Sequence, residues 1–475
     1  MLFNSFEFII FLPIVFILYW FVFNQRLKYQ NLLLLVSSYI FYGWWDYRFL
    51  SLIFLSTLVD YLVGLKVHSA KSEINRKTFL WISILFNLVV LGFFKYYNFF
   101  IESWITLFDS VGYEIKSKWT LNIILPVGIS FYTFQTMSYT IDIYRKSLQP
   151  TKNFIAFASF VAFFPQLVAG PIERAKNLLP QILNRREFDH NQAVQGLRLI
   201  LWGLFKKVVI ADSLAPYVND IFANYTHLGG GTLWLGIIYF AFQIYCDFSG
   251  YSDIAIGTSK LFGFELMSNF NFPYFSRNIG EFWRRWHISL SSWFRDYLYI
   301  PLGGSKGSKL NAVRNILIVF LVSGFWHGAN WTFIFWGLFH ALLYVPTFIY
   351  GSNRKYTTSI VAQNSMLPSF TELLSMGFTF FLVLIGWVFF RSENLSQSLE
   401  YLSIMFFRID IPRSNLQGIG FIIVFMLFEW YFRKDERMKG ISKYAVLRWS
   451  IYLFLGYQLI KYFGINQNDF IYFTF

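Results

Sequence analysis

The sequence predicts an all-α polytopic membrane protein, and three observations lead there. Of its 475 residues, 56% are hydrophobic and 23% aromatic, while only 14% are charged, against about 25% in ordinary soluble domains. Apolar runs long enough to cross about 30 Å of hydrocarbon as a helix recur from end to end. The Lys and Arg behind a net charge of +14 gather in short stretches between those runs. Such a distribution marks cytoplasmic loops and argues against nucleic-acid binding.

Taken in order, the expected spans begin with Phe8 to Phe23, Asn31 to Trp45, Phe49 to Leu65, Phe79 to Phe94 and Leu121 to Ile143. No Lys or Arg precedes the first and no small-residue cleavage site follows it, so it is read as a retained helix rather than a signal peptide. Basic residues follow the first span (Arg26, Lys28), the third (Lys66, Lys71, Arg76, Lys77) and the fifth (Arg145, Lys146, Lys152). These loops are expected in the cytoplasm, with the N-terminus outside. Lys95 to Trp119, which mixes Glu102, Asp109 and Glu114 with Lys116 and Lys118, is expected as an outer loop. Phe154 to Val168 is short, contains Pro165 and runs into Ala169, Gly170 and Pro171. It reads as a re-entrant or steeply tilted segment.

Leu197 to Asp212 and Leu233 to Phe248 follow, separated by a polar outer loop from Asn219 to Thr232. The basic stretch Leu266 to Arg314 is expected to face the cytoplasm. The last spans are Ile316 to Trp326, Trp331 to Tyr350, Met376 to Phe390, Gly418 to Tyr431 and Ser450 to Phe463. The count is about 11 to 13 membrane segments in a single integral domain, 1–475, with no internal repeat.

The chemistry is expected in EFWRRWHISLSSWFRDYLYIPLGGSKGSKLNAVRNILIVFLVSGFWHGANW, Glu281 to Trp331. An ionisable group deep in an apolar run is costly and suggests a functional site in a membrane protein, which singles out His327. Burial favours the neutral imidazole that a general base requires, and Gly328 would leave room for substrate beside the ring. A histidine that only hydrogen-bonds a neighbouring helix is the bland alternative. Arg284, Arg285 and Arg295 could grip an anionic ligand, since arginine's fork suits phosphate, while the indole of Trp286 stacks on its ring; an interfacial anchor is the alternative. PLGGSKGSK, Pro301 to Lys309, is either a backbone cradle for phosphate or a plain turn.

Asp247 and Asp253, in YCDFSGYSD, are brought together only if Gly250 breaks the helix; pairing with an arginine is the commoner fate. His68, His190, His227 and His340 read as structural. The one cysteine, Cys246, cannot form an intrachain disulfide or a thiolate cluster, and no metal-binding, serine-hydrolase or phosphate-loop motif is present.

Several blocks resemble the membrane-bound O-acyltransferase family, and within it the bacterial alginate O-acetyltransferase branch: MLFNSFEFIIFLPIVFILYW, LLLLVSSYIFYGWW, LPVGISFYTFQTMSYTIDIYR, FFPQLVAGPIER, YCDFSGYSDIAIG, FNFPYFSRNIGEFWRRWHISLSSWFRDYLYIPLGG and WHGANWTFIFWGLFH. The resemblance runs nearly the whole length in order. It implies a disc of helices, some re-entrant or short, around a central tunnel where a cytosolic acyl donor meets an acceptor from the other face. It also implies that His327, in the WHG block, is the general base or proton shuttle, and that His287, in the RRWHISLS block, supports it or helps position the donor. Arg284, Arg285 and Arg295, with Trp286 and Asn330, are then expected on the donor side.

The resemblance further implies acetyl-CoA as donor substrate with no permanently bound cofactor, a bacterial plasma membrane location, extracytoplasmic partner proteins and an alginate-like polysaccharide acceptor. Peptidoglycan and teichoic acid receiving D-alanine remain alternative acceptors. Two readings of other classes stand beside this one: a proton-coupled transporter or channel, and a structural scaffold for an export complex.

Overall fold

The computed structural model describes residues 1–113, 119–168, 170–438, 440–465, 468 and 470–473. Among these the regular structure is helical throughout. By contacts the chain divides into two compact units, Met1–Ala193 with Thr258–Leu266, and Val194–Gly257 with Met267–Phe475.

The first unit holds α1 (Phe6–Ile17), α2 (Leu27–Gly43), α3 (Leu50–Ser69), α4 (Glu73–Leu91), α5 (Tyr97–Ser110), α6 (Ile129–Tyr144), α7 (Phe154–Val161), α8 (Phe164–Leu167) and α9 (Ala175–Leu183). Its helices are joined through polar side chains inside the bundle. Asp60 of α3 accepts from Ser83 Oγ (2.5 Å) and Asn87 Nδ2 (2.9 Å) of α4, and Thr136 of α6 donates to Asn87 Oδ1 at 3.1 Å. In hydrocarbon, where water cannot serve these groups, such bonds hold helices together. Ser159 of α7 donates to the Asn31 carbonyl at 3.0 Å and ties α7 to α2.

Several expected boundaries are corrected here. The expected outer loop from Lys95 is helical as far as Ser110: a π-turn, Gly92–Tyr96, leads into α5, whose Glu102 and Asp109 lie exposed. Glu114, Lys116 and Lys118 lie outside the described residues. The fifth span begins only at Ile129, after Pro126 and Gly128. A Cβ on Gly128 would meet the Leu167 carbonyl oxygen at 2.7 Å, and its φ of 75° suits glycine. The segment from Phe154 is two short helices broken at Ala162 and Phe163; Ala169 lies outside the described residues.

The second unit holds most of α10 (His190–Leu204), then α11 (Asp212–Ala223), most of α12 (Gly230–Leu261), α13 (Ile279–Arg285), α14 (Ile288–Phe294), α15 (Lys309–His327), α16 (Trp331–Ile349), α17 (Phe370–Arg391), α18 (Leu395–Phe407), α19 (Gln417–Phe432) and α20 (Ala445–Tyr462). A π-helical stretch, Phe205–Ala211, joins α10 to α11 without a break. Helix α11 takes up the first part of the expected loop from Asn219.

The span expected at Leu233 to Phe248 is longer: α12 runs on through Gly250 and Tyr251 to Leu261. Gly250 does not break it. A Cβ there would stand 2.8 Å from the Gly203 carbonyl oxygen, and one on Gly203 2.5 Å from that of Gly250. The residue that looked like a helix breaker is a point of backbone contact between α10 and α12.

Among the described residues six helices are long and apolar enough to cross a membrane: Tyr47–Ser69, Glu73–Ser110, Gly230–Leu261, Lys309–His327, Trp331–Ile349 and Phe370–Arg391. Phe6–Val22, Phe154–Leu167 and Gln417–Phe432 are shorter apolar helices. Large apolar side chains such as Ile14, Val89, Phe378 and Leu453 lie exposed, as a lipid-facing surface requires. This is an all-α, multi-pass membrane protein.

Candidate active site

Two adjacent helices place His327. Helix α15 starts where Ser308 Oγ accepts the Asn311 N–H, and α16 where Asn330 Oδ1 accepts the Thr332 N–H; both are ordinary N-caps. Residues 328–330 link the two helices, which then touch backbone to backbone. A Cβ on Gly324 would lie 2.3 Å from the Phe333 carbonyl oxygen, and one on Gly337 2.4 Å from that of Phe320. The final residue of α15, His327, is 3% exposed. Its ring centroid stands 5.1 Å from both Trp326 and Trp336, 5.5 Å from Phe390 and 5.7 Å from Tyr472.

The room expected beside Gly328 is already filled. A Cβ on Gly328 would fall 2.1 Å from Phe333 Cε2, so the missing side chain admits that ring rather than substrate. The correction follows from α16 turning back directly against the end of α15.

His287 reaches the same place by another route. Helix α13 ends at Arg285, and His287 takes φ 43° and ψ 54° before α14 begins. A left-handed conformation is costly for a non-glycine residue. The surrounding segment holds it: the Ile288 N–H donates to the Asn269 carbonyl at 2.8 Å, and Ser289 Oγ to Asn269 Oδ1 at 2.5 Å. Both bonds pin the break between α13 and α14. The His287 imidazole is 1% exposed and lies 6.3 Å from that of His327 and 4.7 Å from Phe248, centroid to centroid. Among the described residues neither of its ring nitrogens has a hydrogen-bond partner. Burial pushes its pKa down from the ordinary imidazole value to about 3, so the ring is neutral.

Two cavities flank α16 and α17. The larger, about 690 Å³, is lined by Ala329, Asn330 and Phe333 where α16 begins, by Phe390 to Glu393 where α17 ends, and by Lys207, Asp212 and Asp247. The smaller, about 230 Å³, is lined by Arg284, Arg285, Tyr356 to Ile360, Arg433 and Lys434, with Glu436. It lies just past the end of α16 and before the start of α17. A 19-residue helix such as α16 is about 28 Å long, so the two cavities lie at opposite ends of this helix pair.

The expected site residues are therefore divided. His287 and His327 stand together. Arg284 and Arg285 share the smaller cavity, whereas Asn330 lines the larger one and donates to the Glu393 carbonyl at 2.7 Å. Arg295 points elsewhere, paired with Asp296 at 2.8 Å and largely exposed. Trp286 is 1% exposed and packs on Trp387 at 4.9 Å and Phe270 at 5.0 Å. The loop Pro301 to Lys309 is a turn, tied by Asn315 Nδ2 to the Leu302 and Gly304 carbonyls at 3.1 Å each. His340 is fully buried against Trp283 and Trp336 at 5.0 and 5.1 Å.

Three features escaped the sequence. Glu281 is fully buried and accepts from both Arg277 (3.0 Å) and Arg285 (2.9 Å), which sets Arg285 in place and ties Arg277 to α13; the spacing of four residues was the available signal. Arg433, Lys434 and Tyr356 join the basic cavity from distant segments. Asp247 and Asp253 pair with lysines rather than arginines: Lys207 with Asp247 and Lys206 with Asp253, each at 2.7 Å.

The sequence profile of the membrane-bound O-acyltransferase family, MBOAT, matches residues 45–358. The chain is 42% identical over 422 residues to a protein of Azotobacter vinelandii named "Probable alginate O-acetylase AlgI", covering 88% of this chain and 80% of that one. It is 36% identical to the peptidoglycan O-acetyltransferase of Helicobacter pylori, over 85% of this chain and 79% of that relative. With the teichoic acid D-alanyltransferase of Bacillus subtilis the identity is 30%, over 57% of this chain and 70% of the relative.

Proposed function

This chain belongs to the membrane-bound O-acyltransferase family, and from that premise we propose that it takes acetyl from cytosolic acetyl-CoA and passes it across a bacterial plasma membrane for O-acetylation of an extracellular, alginate-like polysaccharide. The observation that carries the reading is the pair of cavities at opposite ends of α16 and α17, with two buried imidazoles in the same unit.

The basic cavity suits the donor. Arg284 and Arg285 reach it from the last turn of α13, and Arg433 and Lys434 close its other side. Phosphate oxygens would meet guanidinium groups there. Arg284, Arg285, Arg433 and Lys434 in its lining support a cytoplasmic face for this end by the positive-inside pattern. His287 follows Arg285 by two residues, so the break between α13 and α14 leads from the donor's phosphates towards the reacting atoms.

The larger cavity suits the acceptor side. In the transfer, an acceptor hydroxyl oxygen bonds to the thioester carbonyl carbon, the hydroxyl proton goes to the His327 imidazole, and the carbon–sulfur bond breaks. The CoA thiolate leaves and takes up a proton, giving an acetyl ester and the free thiol. His287, held neutral beside it, supports the imidazole or orients the thioester. A positioned base contributes about 10² to 10⁴ in rate. The polymer is reached through extracytoplasmic partner proteins that receive the acetyl group.

The test is release of radiolabelled acetyl from acetyl-CoA by the purified protein in lipid nanodiscs, wild type beside His327→Ala. Loss of wild-type turnover in the variant is expected. Turnover that survives unchanged would remove His327 from the chemistry. Comparing alginate with peptidoglycan fragments as final acceptors, in the presence of the membrane's partner proteins, then decides the polymer.

A further inference from the structure

Residues 468 and 470–473 come back to the His287–His327 pair, and their hold on the second unit is polar as well as aromatic. Lys207, 1% exposed, sits in the π-helical stretch between α10 and α11. Its ammonium faces Asp247 Oδ1 at 2.7 Å and Asp212 Oδ1 at 2.9 Å, and donates to the Asn468 carbonyl at 3.0 Å. The other oxygen of Asp247 accepts the Ile471 N–H at 2.7 Å. Both members of one buried ion pair thus bind the backbone of the same segment.

The aromatic side chains continue the contact. Phe470 is fully buried, 4.6 Å from Tyr251 and 5.4 Å from Tyr472. Tyr472 lies 4.5 Å from Phe248, 5.7 Å from His327 and 6.3 Å from His287. Asn468 and Ile471 also line the 690 Å³ cavity together with Lys207, Asp212 and Asp247. The segment is therefore a wall shared by the cavity and the histidines.

We propose that Lys207 and Asp247 are positioning residues that clamp residues 468 and 470–473 in the register that sets Tyr472 beside the two imidazoles, and that acyl transfer depends on this docking. Apolar contact alone would bury Phe470 in several registers. A buried carboxylate that accepts one particular N–H, and a buried ammonium that donates to one particular carbonyl, select a single register. Fixing register is the best-attested use of a buried polar pair. The proposal rests on the acyltransferase reading for its effect on rate but not for the clamp itself.

The test uses the full chain in nanodiscs. Cys246→Ala removes the one native thiol, and Tyr472→Cys then reports docking through its rate of alkylation by N-ethylmaleimide. Asp247→Leu removes both the charge and the acceptor. Ile471→Pro removes the N–H and exchanges one apolar side chain for another, at the first residue of a short 3₁₀ turn where proline is tolerated, and leaves the ion pair intact in case the first variant does not fold. Each variant is expected to speed alkylation about tenfold, the worth of one charge-assisted hydrogen bond. Equal rates with and without Ile471→Pro would overturn the clamp.

In the chain that keeps Tyr472, Ile471→Pro is expected to lower kcat about tenfold, again the worth of that one bond, with the KM for acetyl-CoA unchanged. Asp247→Asn, which keeps an oxygen acceptor, should retain more activity than Asp247→Leu. Undocking with full kcat would overturn the dependence of transfer on the segment. The alkylation arm needs no acyl donor, so it decides the clamp even where acetyl-CoA is not turned over.

Discussion

Replacing His327 by glutamine separates its chemistry from its packing. The imidazole touches four aromatic rings at 5.1 to 5.7 Å. Truncation to alanine would leave a ring-sized void, and emptying a site of that kind costs about 3 to 5 kcal/mol in a packed core. A loss of activity in His327→Ala alone could therefore reflect a collapsed site. Glutamine has nearly the same volume, forms hydrogen bonds and does not act as a base near neutral pH. If the imidazole accepts the acceptor's proton, its loss should raise the barrier by about 2.7 to 5.4 kcal/mol, or about 10² to 10⁴ in kcat. The assay is single-turnover acetyl release in nanodiscs, with thermal unfolding followed on the same preparation. The expected result is an unfolding midpoint close to wild type with kcat down about a hundredfold or more, the lower end of that range. A His327→Gln protein within about threefold of wild-type kcat would refute the argument, since a base worth so little falls below that range.

Arg284 makes its hydrogen bonds to carbonyls, those of Asn353 and Tyr356, so its charge is available to an anion. Arg284→Gln is expected to raise the KM for acetyl-CoA about tenfold at low salt, with less effect as ionic strength rises, whereas Arg295→Gln leaves it unchanged; steady-state kinetics at low and high salt checks both. Gly337→Val would force a branched side chain against the Phe320 carbonyl oxygen. It should lower stability by about 1 to 3 kcal/mol or more and displace the end of α15, so thermal unfolding and acetyl release should fall together. His287 has a folded-state pKa of about 3, below the value of about 6.5 in an unfolded chain. The native state then binds fewer protons than the unfolded one between those values. The resulting stability is fully present above about 6.5 and lost as pH falls, by up to about 1.4 kcal/mol per unit. His287→Phe should flatten that dependence of the unfolding midpoint on pH.

His327 was singled out by its place at the end of an apolar run, and His287 by the resemblance of the RRWHISLS block to the family. That they meet was not legible. The meeting depends on a left-handed residue between α13 and α14, and on the close approach of α15 and α16 at Gly324 and Gly337. Neither is encoded in hydropathy. The donor-side reading shows the same limit: Arg284, Arg285 and Arg295 look alike in sequence, yet a buried Glu281 directs one part of the group inward while Asp296 pairs with Arg295 at the surface.

Composition and run length were enough to identify the solvent in which this protein folds. Both are sums over many residues, so they survive errors at any one, and they marked most helices within a turn or two. Candidate site residues stood out for a related reason, since few ionisable groups interrupt the apolar runs. Other features emerge only from packing: α12 continues through Gly250, Phe333 fills the space beside Gly328, and Lys207 and Asp247 reach the backbone of Asn468 and Ile471. Most of these depend on contacts between residues far apart in the chain, where one missing Cβ or one buried charge settles the geometry and no local pattern records it.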